Sequence, residues 1–141
     1  MTPTARTLAR LRRRGYVAGV VERFIAGAGE RGQGIRRDFL GCIDIIAVKT
    51  GSPILGVQAT SVANVSSRVA KARKIPELRV WLATGAAFQV WGWVKRRGRW
   101  HPKIVELRAE DLADVVLERP PRKLRRSRYQ PASLFPTEAT R

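Results

Sequence analysis

Ile43-Asp44-Ile45-Ile46-Ala47-Val48, followed fourteen residues beyond its aspartate by Gln58 in Ile54-Leu55-Gly56-Val57-Gln58-Ala59-Thr60, is the part of this sequence that decides its fold. Both runs read as buried strands, short, apolar and rich in β-branched residues. Each carries a polar intrusion. Asp44 interrupts the first run, where an unpaired carboxylate is expensive. Side chains alternate across a strand, so Gln58 and Thr60 share one face of the second run while Val57 and Ala59 take the other. Two adjacent strands with polar groups at the same level make an oxygen-lined pocket in an apolar sheet. Such a pocket suits a hard divalent cation, Mg²⁺ or Mn²⁺ in its place, which takes oxygen ligands and keeps part of its water shell.

The 141 residues fit one domain, long enough to bury a core without disulfide staples. Cys42 is the single cysteine. It has no internal partner, and its place between Gly41 and an apolar run predicts burial as a small hydrophobe in a reducing compartment. No apolar run is long enough for a membrane span, and the N-terminal patch Tyr16 to Val21 runs straight into Glu22-Arg23, unlike a signal peptide. A cytoplasmic protein with no membrane partner is expected.

Charge narrows the partner. Lys and Arg total 28 against 11 Asp and Glu, a net charge of +17. Arginine dominates, in Arg12-Arg13-Arg14, Arg36-Arg37, Lys95-Arg96-Arg97 and Arg122-Lys123-Leu124-Arg125-Arg126. With 44% hydrophobic residues the chain is too apolar for a disordered basic tail, so the expectation is a folded domain that binds a polyanion, namely nucleic acid.

Along the chain, apolar residues at spacings of three and four (Val17, Val20, Val21, Phe24, Ile25, Ala28) predict one long helix from Thr4 to Ala28, ended by Gly27, Gly29, Gly32 and Gly34. A strand from Ile35 to Leu40, the Asp44 strand and the Gln58 strand then form an antiparallel meander. Ser61 is the expected N-cap of a second helix reaching Lys74, stopped by Pro76. Strands are expected at Arg79 to Thr84, Phe88 to Val94 and Trp100 to Leu107, and a short helix at 109–116. The order αβββαβ with added strands implies an α/β sandwich around a mixed sheet. Residues 1–119 form the predicted domain and 120–141 a basic, Pro-rich tail.

On a helical wheel Glu22 falls among Leu11, Gly15, Ala18, Gly19, Ala26 and Gly29, with no cation at helical spacing to pair it. Arg14-Gly15, Glu22 on a first helix, Gly41-Cys42-Ile43-Asp44-Ile45-Ile46-Ala47, and Gln58-Ala59-Thr60 before a basic helix together resemble the PD-(D/E)XK nuclease superfamily. The small archaeal-type and phage Holliday junction resolvases are the most similar branch. The resemblance covers residues 10–75 and implies a restriction-endonuclease-like core, with a mixed sheet flanked by helices. It also implies metal-dependent hydrolysis of DNA phosphodiesters by a homodimer.

By that resemblance Asp44 is the central Mg²⁺ ligand, Gln58 stands in the second-ligand place and Glu22 supports metal or water. Glutamine offers a neutral carbonyl oxygen in place of a carboxylate. Thr60 occupies the lysine position and cannot carry its charge. Asn64, Arg68 and Lys71 share a face of the following helix, which makes Lys71 or Arg68 the expected substitute. Asp38, beside Arg36 and Arg37, reads equally as a further acid or as an ion-pair partner. Arg13, Arg14, Arg36, Arg37, Arg68, Lys71, Arg96 and Arg97 are the expected phosphate contacts. A structure-selective endonuclease acting on four-way junctions is the first expectation. A binding module that has lost catalysis, or a nuclease for another DNA structure, are the others.

The tryptophans come late. Trp91 and Trp93 alternate about Gly92 and so face one way, next to a basic hairpin tip at 95–99. Core packing, a dimer interface and base stacking are their readings, in that order.

Overall fold

The structure, a computed structural model, describes residues 1–112. The tail at 120–141 and the end of the expected final helix lie outside the described residues.

The first helix, α1 (Pro3–Arg13), is framed at both ends. The Thr2 side chain accepts the Ala5 N–H at 3.2 Å, proline stands in the first turn, and Arg10, Arg12 and Arg13 crowd the last turn, where the helix dipole favours cations. Gly15, at φ 86°, takes the left-handed position that ends the helix. The long helix expected to residue 28 therefore stops at its midpoint. Strands β1 (Val17–Val20) and β2 (Arg23–Ile25) occupy the rest of that stretch. Valines at spacings of three and four imitate a helical stripe, but β-branched side chains favour an extended chain once Gly15 has broken the helix.

The remaining elements are β3 (Ile35–Arg37), β4 (Ile45–Val48), β5 (Leu55–Ser61), α2 (Val65–Ala72), α3 (Pro76–Ala83), β6 (Ala87–Arg96) and β7 (Arg99–Leu107). A 3-10 turn at Val62–Asn64 precedes α2, and Ser61 makes no capping bond there. Another 3-10 turn, Ala109–Asp111, stands at the start of the expected final helix. The strand expected at Arg79 to Thr84 is instead α3. Pro76 opens that helix rather than closing the one before it, as a residue without an N–H can at a first helical position.

Five strands form a mixed sheet in the order β1-β4-β5-β6-β7. Only the β5–β6 pair is parallel, and α2 and α3 make the crossover between them. β3 does not join this sheet. It pairs with β2 in a separate two-stranded ribbon, so the antiparallel meander is β1-β4-β5.

Helices cover both faces. On one, Leu11 of α1 packs with Ile45, Ala47, Leu55, Val57, Trp91 and Trp93. On the other, Val65 and Ala72 of α2 and Leu78 of α3 pack with Ile43, Phe88, Val90 and Leu107. Trp91 and Trp93 are thus core residues, and the Trp93 indole N–H donates to Thr7 Oγ1 at 2.9 Å. No described helix is long and apolar enough to cross a membrane.

Gly92 sets how closely α2 approaches. A Cβ built there would lie 2.1 Å from Val65 Cγ2 and 3.0 Å from the Val62 Cα, so the chain before α2 rests on bare backbone. Overpacking of this kind typically costs about 1–3 kcal/mol. Gly92→Ala is expected to lower the unfolding free energy by at least about that amount in urea melts, and an unchanged midpoint would show that the contact is looser than described.

Candidate metal and nucleic-acid site

Four oxygen-bearing residues meet where the small ribbon joins the large sheet. The ribbon pairs Arg23 with Arg37, and the next pair in that register is Glu22 with Asp38. After Asp38 the chain reverses through Leu40 and Gly41, both left-handed at φ 55° and 79°. Phe39 and Ile43 exchange backbone hydrogen bonds, each 2.9 Å, so the next pair outward is Asp38 with Asp44. Asp44 in turn gives its carbonyl to the Val21 N–H at 2.8 Å and its N–H to the Val57 carbonyl at 3.0 Å. It bridges β1 and β5 from a bend just before β4.

The Asp44 side chain continues that bridge, since Oδ2 accepts the Ala59 N–H at 2.9 Å. The carboxylate therefore stands beside Gln58. Glu22 occupies the segment between β1 and β2, not a helix, and still reaches the neighbourhood of Asp44. Its cation comes from the ribbon instead of from helical spacing, with Arg36 Nη1 at 3.7 Å from Glu22 Oε2.

The electrostatics follow from this crowding. The Asp44 carboxyl is pushed up from 3.8 to about 7, first by burial and then by Asp38, close enough for a carboxyl–carboxyl hydrogen bond, and by Glu22, all against the Ala59 N–H, which favours the charged form. A divalent cation beside Asp44 relieves the same repulsion that raises it, and can take the place of its proton.

Gln58 supplies the other signal. It is 2% exposed, and its Oε1 is a buried acceptor without a hydrogen-bond partner among the described residues. Parallel pairing sets Gln58 beside Val90 and Thr60 beside Gly92, so both side chains face the α2 layer, while Val57 and Ala59 face α1. The alternation read from the sequence is the one observed. Among the described residues no group of three or more His, Cys, Asp or Glu side chains is arranged to hold a metal by itself. Mg²⁺ does not require such a cage, because it is commonly held by one or two carboxylates plus water. Asp44 with Asp38 or Glu22, and the orphaned Gln58 oxygen, fit that donor set.

Cationic groups border the acids. Arg36, Arg37, Asp38, Gly41 and Lys71 line a cleft of about 440 Å³. Lys71 also acts on Cys42, the buried thiol behind this cleft, which burial and then Asp38 and Asp44 push up to about 12. Such a thiol stays protonated and is not a nucleophile. Thr60 is buried. Arg68 is half-buried on α2, and no contact among the described residues joins it to the acids.

The other expected phosphate contacts lie elsewhere. Arg13 and Arg14 end α1 on the opposite side of the sheet, Arg14 with its guanidinium carbon 5.5 Å from the Trp91 ring centre. Arg96 and Arg97 stand at the β6–β7 turn beside Arg99 and His101. Asp38 is the acid whose role the sequence leaves undecided. Its signal is the near-symmetric Asp38-Phe39…Ile43-Asp44 about Gly41, which reads as a tight hairpin with an acid at each foot.

No protein-family model, curated protein or solved structure matches this chain.

The raised Asp44 makes stability depend on pH. Asp44 is protonated to about 7 when folded in metal-free buffer, against an ordinary value of 3.8. The folded state thus holds more protons between those values, and the stability linked to Asp44 is complete below the lower one and lost as pH rises through the upper. Asp44→Asn, always neutral, should therefore gain on the parent as pH rises. In chelator, the difference in melting temperature is expected to favour the variant by several degrees more above neutrality than in mild acid, and a pH-independent difference would contradict the assignment.

Proposed function

We propose that this chain is a Mg²⁺-dependent, structure-selective DNA endonuclease of the PD-(D/E)XK kind, most similar in role to a Holliday junction resolvase and acting as a homodimer. The observation that carries the reading is the buried Oε1 of Gln58, without a hydrogen-bond partner among the described residues, beside the crowded Asp44 carboxyl. An orphaned buried acceptor is costly, and a cation held jointly with Asp44 relieves both that cost and the repulsion among Asp44, Asp38 and Glu22. Topology supports the same reading. With the ribbon, α3 and β7 set aside, the elements run α1, β1, β4, β5, α2, β6, which is αβββαβ around a mixed sheet.

In this account Asp44 and Gln58 hold Mg²⁺, with Asp38 or Glu22 beside them. When bound, the cation activates a water and neutralises charge on the scissile phosphate. Arg36 and Arg37 hold the neighbouring phosphates and fix the backbone in the cleft without reading sequence. Lys71 borders the same cleft and supplies the positive charge that Thr60 lacks. It orients the attacking water or steadies a phosphate oxygen. The homodimer follows from the task, because resolving a four-way junction takes two symmetric cuts and a twofold assembly presents two such sites.

A second reading rests on Gln58 and Thr60. A neutral second ligand and no lysine on the strand are what a binding module that has lost catalysis would carry. Four-way, flap and linear DNA incubated with Mg²⁺ or with chelator separate the two, and also separate the junction from other substrates. Cleavage in Mg²⁺ alone, fastest on the junction and absent in Asp44→Asn, is expected, with DNA binding by the variant nearly intact. Binding without cleavage on every substrate favours the second reading.

Two further outcomes are expected. Lys71→Ala should cut at least about 10²-fold more slowly while binding within a few-fold of the parent, the usual cost of losing one group aimed at transition-state charge. Replacing Arg36 and Arg37 together by alanine should flatten the log–log salt dependence of binding by about 0.9 for each phosphate no longer neutralised. An unchanged slope would move the binding face to the 95–99 hairpin or α1.

A further inference from the structure

A second basic surface lies on the far side of the sheet from the Asp44 cleft. Arg6, Arg10 and Arg13 succeed one another at i, i+4 and i+7 along α1, rising about 6 Å and then about 4.5 Å on one helix face. With Ala9, Trp93 and Trp100 they line a groove of about 440 Å³ between α1 and the β6–β7 hairpin. Trp93 is part of the core floor. Trp100 is 42% exposed, and the Arg6 guanidinium carbon lies 3.7 Å from its ring centre. No acidic residue precedes Glu22 in the sequence, and among the described residues none of the three arginines has a carboxylate within ion-pair distance.

We propose that this groove binds a single strand of nucleic acid, with its phosphates on Arg10 and Arg13 and one base stacked against the Arg6–Trp100 pair. A row of guanidiniums alone would serve a duplex equally well. The exposed indole beside the row is what discriminates, because a duplex keeps its base faces inside the stack, whereas an unpaired base offers a π-face to an aromatic ring or a guanidinium plane. Cation–π contact already joins Arg6 to Trp100, so the arriving base extends a stack instead of building one. A row of positive charge with no carboxylate paired to it among the described residues repels itself, and a phosphate backbone relieves that repulsion.

α1 packs on the Ile45–Val57 face, and α2, which carries Lys71 into the catalytic cleft, packs on the other. One protein can therefore hold duplex in the cleft and an unpaired strand in the groove. The inference goes beyond the nuclease reading and stands whether or not the Asp44 site cuts.

Fluorescence anisotropy of labelled oligo(dT), oligo(rU) and a duplex of equal length, all in chelator so that no cleavage occurs, tests the groove apart from the nuclease. The full chain should bind oligo(dT) or oligo(rU) with a change in tryptophan emission, and the tighter of the two names the sugar. Trp100→Ala is expected to weaken single-strand binding about tenfold, the effect of removing one base–aromatic stack, while duplex affinity changes less than about twofold. Trp100→Phe should retain most of the binding. Arg10→Ala with Arg13→Ala, on a helix surface and independent of hairpin folding, should remove single-strand binding and lessen its salt dependence. Equal losses on single strand and duplex in Trp100→Ala, no loss in the arginine pair, or displacement of oligo(dT) by poly-glutamate as readily as by unlabelled oligo(dT) would each overturn the proposal.

Discussion

The hydrogen bond from the Ala59 N–H to Asp44 Oδ2, 2.9 Å long, holds a largely desolvated carboxyl group whose acidic neighbours, Asp38 and Glu22, oppose its charge. Strand β4 begins one residue later with Ile45, fully buried, and β5 runs alongside with Val57 and Gln58 buried as well. Without that bond the Asp44 charge would be both desolvated and unanchored. With it, the carboxyl stays at the seam between β1, β5 and the Asp38 turn, and the backbone pairings on every side bring a second oxygen donor to the same level. The site is thus a consequence of register. Glu22, Asp38, Asp44 and Gln58 come together because three antiparallel pairings terminate at one place.

Strain and crowding concentrate at this seam. Leu40 is one of only two non-glycine residues with positive φ among those described, a conformation costing about 1–2 kcal/mol for a residue with a Cβ. The turn it forms is what returns Asp44 beside Asp38. A protein with no use for that proximity could relax it, by a glycine at position 40 or an amide at either acid. In the proposed function a hard cation would offset both the repulsion among the acids and the unpaired Gln58 oxygen with one species.

The sequence is most legible where alternation carries the signal. Gln58 and Thr60 share the face predicted for them, Trp91 and Trp93 lie in the core, and Cys42 is buried. It is least legible where two periodicities overlap. Val17, Val20 and Val21 sit at spacings a helix and a short strand both tolerate, and only the left-handed Gly15 decides between them. That one ambiguity is enough to put Glu22 on a helix. The α3 segment misleads for the opposite reason, since Val80-Trp81-Leu82 has strand composition while Pro76 and Glu77 give it a helical start. Asp38 stays undecided between acid and ion-pair partner because its neighbour is set by a turn, and the near-symmetry about Gly41 gains its meaning only once Leu40 and Gly41 return Asp44 beside it.

Location of Mn²⁺ by its anomalous scattering, in crystals of the parent and of Asp44→Asn, tests the central claim most directly. The account predicts a single strong peak in contact with both an Asp44 carboxylate oxygen and Gln58 Oε1 in the parent, and its loss in the variant. A peak elsewhere, or a Gln58 amide turned to bond the protein backbone with no ion beside Asp44, would contradict it.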